Sequence, residues 1–201
     1  MISALLRRLS GPLGTLPGGK RRAGNQVADD QLAPVSSRRL RLVTITPAML
    51  EAEHNGDRAA LSARLDAKVP ADWPPALWEL PVWLHLAAEL EMHPETTGWH
   101  RYMISITGVA RVVGCLGGFP CAHGDVELGY SVANTEQGQG FASEAADVLT
   151  AWLLRRPAVR SVSAQAFETS VASVRVMQHC GMVGVGPGDQ AGTVRYRRWR
   201  V

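Results

Sequence analysis

One carboxylate and one glycine turn share a short stretch of this sequence. From Asp125 to Ala133, the apolar residues Val126, Leu128, Tyr130 and Val132 alternate with Glu127, Gly129, Ser131 and Ala133. A period of two is the pattern of a strand, and it sets Glu127 on the face opposite Leu128 and Tyr130. Asn134-Thr135-Glu136 breaks the strand, and Gln137-Gly138-Gln139-Gly140 follows. Two glycines in four residues let the backbone curl with its N–H groups inward. From Phe141, the apolar residues Phe141, Ala145, Val148, Leu149, Trp152 and Leu153 fall on one helical stripe, with Glu144 and Asp147 off it. The first amides of a helix lack intrahelical partners, and the helix dipole adds roughly half a positive charge there. Such a turn suits an anion, and a diphosphate fits it. A plain strand-turn-helix connection is the alternative. The spacing Gln137-x-x-Gly140-x-Ala142 favours phosphate.

These residues carry a resemblance. The run from Val126 to Ala145 resembles the acetyl-CoA signature of the GCN5-related N-acetyltransferases, Gln/Arg-x-x-Gly-x-Gly/Ala after a strand, and is nearest the branch of ribosomal-protein N-terminal acetyltransferases. A second segment, Ala172-Ser173-Val174-Arg175-Val176-Met177-Gln178-His179-Cys180-Gly181-Met182, resembles that branch's late helix, Asn-x-x-Ser-x-Arg-Val-x-x-x-x-Gly-Phe. The usual Asn falls on Ser170 and the Phe on Met182. The likeness runs from about Arg38 to Val201.

The resemblance implies an α/β fold. Its mixed, mostly antiparallel central sheet splays between the central strand and the next, and helices flank it. It implies acetyl-CoA as cosubstrate. The pantetheine arm would lie in the splay against Tyr130, Ser131 and Val132, with the diphosphate on the backbone of Gln137, Gly138, Gln139, Gly140, Phe141 and Ala142. Ser170 and Ser173 join this set through the late helix. The implied reaction moves the acetyl group from the thioester to a primary amine of a small molecule or protein. An alkylammonium has a pKa near 10.4, so a base must take its proton at neutral pH. Glu127 is the candidate, and burial would raise its pKa usefully. A strand-edge Glu in a surface ion pair is the other reading of that residue, and Glu168 is a second candidate base. Tyr196, Cys180 and Ser170 are candidates for the acid that meets the leaving thiolate. A sensor that binds an acyl-CoA without turnover would use the same pocket.

The remaining sequence bounds this reading. The chain has 201 residues, 46% hydrophobic and 19% charged, as for one globular domain. No apolar run approaches the roughly 20 residues of a membrane span. Cys115, Cys121 and Cys180 have no metal-type spacing and read as reduced thiols, which places the protein in a cytoplasm. No metal is expected. Residues 1–37 hold five basic side chains against two acidic ones and account for the net charge of +3. Rich in Gly, Pro, Ser and Arg, they read as a flexible basic arm, and residues 38–201 as the acetyltransferase domain. The arm is a solvated tail or a tether to RNA or ribosomes. Because residues 38–201 balance, nucleic acid is not an expected partner; the expected partner is an amine-bearing acceptor, with a homodimer compatible and no membrane involved.

Strands are expected at Arg39–Ile45, Arg101–Thr107, Ala110–Phe119, Arg160–Phe167 and Thr193–Val201. Helices are expected at Met49–His54, Asp57–Ala67, Trp78–His93 and Val171–Cys180. Gly114, Gly117 and Gly118 suggest bulges. Residues 51–95 carry nine acids against three bases. This field would draw a cationic amine, and solvated helix faces explain it equally well. Trp73, in the Pro-rich loop, is expected near the acceptor.

Overall fold

The computed structural model describes residues 32–76, 78 and 80–201. Eight strands form one sheet in the order β1-β2-β3-β4-β5-β6-β8-β7. They are β1 (Val35–Ser36), β2 (Leu40–Thr44), β3 (His100–Ser105), β4 (Arg111–Pro120), β5 (Asp125–Val132), β6 (Ser161–Phe167), β7 (Val183–Pro187) and β8 (Thr193–Trp199). Five helices accompany them: α1 (Pro47–His54), α2 (Arg58–Leu65), α3 (Leu80–Met92), α4 (Phe141–Leu154) and α5 (Val171–His179). Neighbouring strands are antiparallel except β5 and β6.

That exception makes the opening. β5 meets β6 only at Asp125↔Ser161, Val126↔Val162 and Glu127↔Ser163. On its other edge, β5 stays paired with β4 through Val132. The sheet therefore splays just after Glu127, as the sequence reading requires, and β5 loses a partner on one side from residue 128 onward.

The sheet divides the core in two. Val126, Leu128 and Tyr130 of β5 pack with Phe141, Ala145, Leu149, Trp152 and Leu153 of α4 and with Val176 and Met177 of α5. Across the sheet, Tyr102, Ile104, Val112, Cys115 and Phe119 pack with Met49, Leu50, Leu61, Leu65, Val82 and Leu86 of α1 to α3. The period-two alternation of the strands feeds both layers.

Several expected boundaries shift. α3 begins at Leu80, two residues after Trp78, so Pro81 is its second residue, where a missing N–H costs nothing. β7 was not expected from its sequence: VGVGP has two glycines, and all five residues are exposed on the sheet edge. Among the three glycines of β4, only Gly114 sits at a register shift, where Met103 pairs with Gly114 and Ile104 with Val112. Gly117 and Gly118 pair regularly and serve close packing instead. A Cβ on Gly117 would run into the His100 ring, and one on Gly118 would lie 2.7 Å from Val126.

Residues 1–31 of the expected arm lie outside the described residues, but its last residues join the sheet. β1 pairs with β2, buried Arg101 donates to the Ala33 carbonyl at 2.9 Å, and Ser37 Oγ donates to Glu144 Oε1 at 2.6 Å.

Candidate active site

The turn before α4 has the expected form. Gly138 and Gly140 take φ of 75° and 79°, left-handed conformations that glycine adopts without strain. The six consecutive amides from Gly138 to Ser143 donate to no described residue. Those of Phe141, Ala142 and Ser143 are in the unpaired first turn of a 14-residue helix. Arg39 braces the turn from behind, donating to the Gln139 carbonyl at 2.9 Å and to Glu144 Oε2 at 2.6 Å. Its guanidinium also lies 4.9 Å from the centre of the Phe141 ring.

A cavity of about 550 Å³ opens beside these amides. Its wall contains Tyr130, Ser131 and Val132 from β5; Gln137, Gly138 and Gly140 from the turn; Phe141 and Ala142 from the start of α4; and Ser170 and Ser173, the N-cap and third residue of α5. The structure thus gathers ten of the eleven residues expected to hold the cosubstrate. Gln139 is the exception, with its side chain turned to Glu136 Oε2 at 3.1 Å. Ala76, Glu136, Ser143, Ala172, Arg175 and Val176 complete the wall. Arg111 neutralises Glu136 with two contacts of 2.6 and 3.0 Å. Arg175 is exposed and has no hydrogen bond or ion pair with a described residue, leaving a cation at the rim. Volume, amides and cation suit an elongated ligand bearing phosphates. Ser170 Oγ bonds Ser173 Oγ at 2.8 Å, while the Tyr130 hydroxyl reaches across the splay to the Ser173 carbonyl at 3.2 Å.

Glu127 lies outside this wall, at the bottom of the splay and 8% exposed. Its row is Glu127–Ser163–Arg197 across β5, β6 and β8. Gln165 Nε2 donates to Glu127 Oε1 at 2.9 Å, and no described residue donates to the second oxygen. Burial raises the Glu127 pKa above the usual carboxylate value. The Gln165 hydrogen bond and the Arg195 charge oppose this, and Asp189 and Asp125 add to it. Gln165 is itself held at its carbonyl oxygen by the Asp189 amide at 2.7 Å. Among the described residues Glu127 forms no ion pair, unlike a surface strand-edge Glu.

The other candidates fall elsewhere. Glu168 is exposed in the turn after β6, its backbone bonded to Gly192. Cys180 is buried in the α4/α5 core, where burial pushes its thiol up to about 12. Tyr196 packs against that same core. Of the three candidate acids only Ser170 reaches the cavity. Trp73 is 5% exposed beneath α1, where it and Trp78 donate to the two oxygens of Glu53 at 2.7 and 2.8 Å. Burial lifts the Glu53 pKa to about 7 against the pull of these hydrogen bonds. At Ser131, Oγ donates to the Ala76 carbonyl at 2.7 Å, tying the Pro-rich loop over β5.

Sequence reasoning missed Gln165, Arg39 and Arg175. Gln165 had a signal: Ser161, Ser163 and Gln165 are the polar positions of a strand alternating with Val162, Ala164 and Ala166. Arg175 stands inside the second motif. Arg39 had none, because its partner Glu144 is 105 residues away.

Comparison with known proteins agrees with this geometry. The family model described as acetyltransferase (GNAT) domain matches residues 39–183. The chain belongs to this family and is an acyltransferase. It is similar to the uncharacterized N-acetyltransferase YjdG of Bacillus subtilis (strain 168), 25% identical over 153 residues, which are 74% of this chain and 89% of the relative. Among solved structures, RimL, a ribosomal L7/L12 alpha-N-protein acetyltransferase in complex with coenzyme A, superposes with a TM-score of 0.58 at 19% identity, covering 83% of this chain and 97% of RimL. The spermidine N-acetyltransferase of Vibrio cholerae, in complex with CoA and spermine, gives 0.55 at 15% identity, covering 82% and 97%. At these identities the structural likeness speaks for the fold. Among the described residues, no helix is long and apolar enough to cross a membrane, and no group of three or more His, Cys, Asp or Glu is placed to hold a metal ion.

Proposed function

We propose that this chain transfers the acetyl group of acetyl-CoA to a primary amine, with Glu127 as the general base. The observation that carries the proposal is the run of six unpartnered amides, Gly138 to Ser143, beside a cavity whose wall includes Tyr130, Ser131 and Val132, on the stretch of β5 that has lost its β6 partner. These amides have no competing acceptor among the described residues, so a diphosphate can take them without displacing an existing hydrogen bond. Arg175 adds a charge for a further phosphate, and the neutralised Glu136 does not repel it. The thioester supplies an activated acyl carbon and a thiolate leaving group.

The protein's own part is positioning and proton transfer. The amine approaches on the face of β5 that carries Glu127, opposite the α4 layer. Gln165 fixes one carboxylate oxygen and leaves the other to accept the ammonium proton, directly or through one water. A carboxylate of raised pKa binds that proton better than a solvated one, which narrows the gap to the amine. Ser170 and Ser173, hydroxyls in the cavity wall, are proposed to stabilise the thiolate. Small amines and protein N-termini both remain within this class, since relatives of the fold act on each.

The test is a thiol-release assay with a panel of amines alongside calorimetric titration of acetyl-CoA. The proposal requires micromolar-range binding that weakens in Gly140→Asp, and amine-dependent release of CoA that collapses in Glu127→Gln while binding persists. Binding without turnover of any amine would favour a sensor.

A further inference from the structure

A second cavity, of about 510 Å³, lies on the same face of the sheet as Glu127, one row below it. Its wall holds Cys121, His123, Asp125, Arg160, Arg197 and Trp199. The registers Asp125↔Ser161↔Trp199 and Glu127↔Ser163↔Arg197 set the two rows side by side. The helices α1 to α3 cover β3 and β4 on this face, and the turn Cys121–Gly124 flanks the cavity.

The charges here are not balanced internally. Asp125 is fully engaged: Ser161 Oγ and Ser163 Oγ donate to it at 2.7 Å each, and Arg197 at 3.1 Å. That leaves Arg160. Its guanidinium is exposed and forms no hydrogen bond or ion pair with a described residue. Its stem lies against Gly124, where a Cβ would come within 3.1 Å of Arg160 Cγ. Arg197 Nε is buried and also lacks an acceptor. Trp199 is 49% exposed and offers a flat apolar wall. A cavity of this size is in the range of small-ligand sites, and the unpaired Arg160 guanidinium, a surplus of one positive charge beside the Arg197–Asp125 pair, selects an anion.

Resting on the acceptor reading above, we propose that this cavity seats the far end of the acceptor, and that this end carries an anionic oxygen group, a carboxylate or a phosphate monoester, on an apolar body lying along Trp199. The Arg197 guanidinium reaches back to Asp125, two residues along β5 from Glu127, or roughly 7 Å. An amine at Glu127 and an anion at Arg160 and Arg197 are therefore bridged by a chain of about six to eight atoms. The acceptor is an ω-amino acid, a short peptide or an aminoalkyl phosphate.

The test compares hexylamine, 1,6-diaminohexane, 6-aminohexanoate and 6-aminohexyl phosphate as acceptors, with the wild type and Arg160→Glu. The wild type should prefer one or both anionic acceptors over hexylamine by roughly 10- to 100-fold in kcat/KM, the worth of one or two charge-assisted hydrogen bonds. The better of the two identifies the anion. Arg160→Glu should abolish the preference and leave hexylamine turnover unchanged, since Arg160 touches neither Glu127 nor the first cavity. Binding of hexanoate by calorimetry reads the same site without turnover. It should be lost in Arg160→Glu, and its absence from the wild type overturns the proposal even if amines are acetylated. A preference for the diamine would also overturn it. Acetylation of hexylamine without any anion preference would refute this site alone and leave the catalytic reading intact.

Discussion

Replacing Glu127 with Gln isolates the proton-transfer role. Gln has the same shape, and its carbonyl oxygen can still accept from Gln165 Nε2, now 2.9 Å from Glu127 Oε1. The side chain should therefore keep its place, and the loss is confined to the basic oxygen. A positioned base is worth roughly 10²- to 10⁴-fold; at 1.36 kcal/mol per tenfold this is about 3–5 kcal/mol of barrier. The acetyl-CoA affinity should hardly change, because Glu127 is outside the wall of the 550 Å³ cavity. The pH profile carries the sign. Burial raises the Glu127 pKa, so the active carboxylate is lost as pH falls through a value above the ordinary 4.5. Wild-type kcat should show that acidic limb, and Glu127→Gln should lack it. The variant's defect should shrink at high pH, where solvent deprotonates the amine. Single-turnover measurements of acetylated product ensure that chemistry is being read. A near-normal rate at pH 7 would refute the assignment and direct attention to a water held by backbone carbonyls.

Three other outcomes are expected. Gly140→Asp forces a residue with a side chain into φ 79°, at a cost of about 1–2 kcal/mol, and sets a carboxylate beside the six amides; calorimetry should show acetyl-CoA binding at least tenfold weaker while circular dichroism stays native. Glu53 is easier to protonate folded than unfolded, with a pKa of about 7 against 4.5. Its contribution to stability is full below the unfolded value and is lost as pH rises to the folded one, a change of about 3 kcal/mol; the corresponding decline in urea-unfolding stability between pH 5 and 8 should be absent in Glu53→Gln. Deleting residues 1–37 removes β1, the Ala33 contact of Arg101 and the Ser37 contact of Glu144; at about 1 kcal/mol per hydrogen bond, melting should fall by several degrees, whereas deleting 1–31 keeps those contacts and serves as the control.

The parts of the site that were legible in the sequence are those built from neighbours in the chain. Strand alternation from Asp125 and the glycine spacing before Phe141 fix backbone conformation locally, so β5, the turn and α4 could be read residue by residue. The late helix was legible through its motif. What stayed hidden depends on distant residues. Arg39 reaches the turn only because β2 lies beside α4 in the folded chain, and Val35–Ser36 become a strand only by pairing with β2. Gln165 reads as an ordinary polar strand position until the short β5–β6 pairing brings it to Glu127. Glycines in β4 suggest bulges because bulging and close approach leave the same residue in the sequence; the His100 ring over Gly117 and the Val126 side chain beside Gly118 separate the two. β7 alternates Val183 and Val185 with glycines but buries none of its residues, and it is specified by its partner β8.

The most direct test of the account is amine-dependent release of CoA from acetyl-CoA, measured together with the mass of the acceptor. One CoA should be released per acetyl group gained on an amine nitrogen, at a rate that Glu127→Gln cuts at least a hundredfold with acetyl-CoA affinity unchanged. Tight acetyl-CoA binding with no acceptor acetylated, or an equal rate in Glu127→Gln, would contradict it.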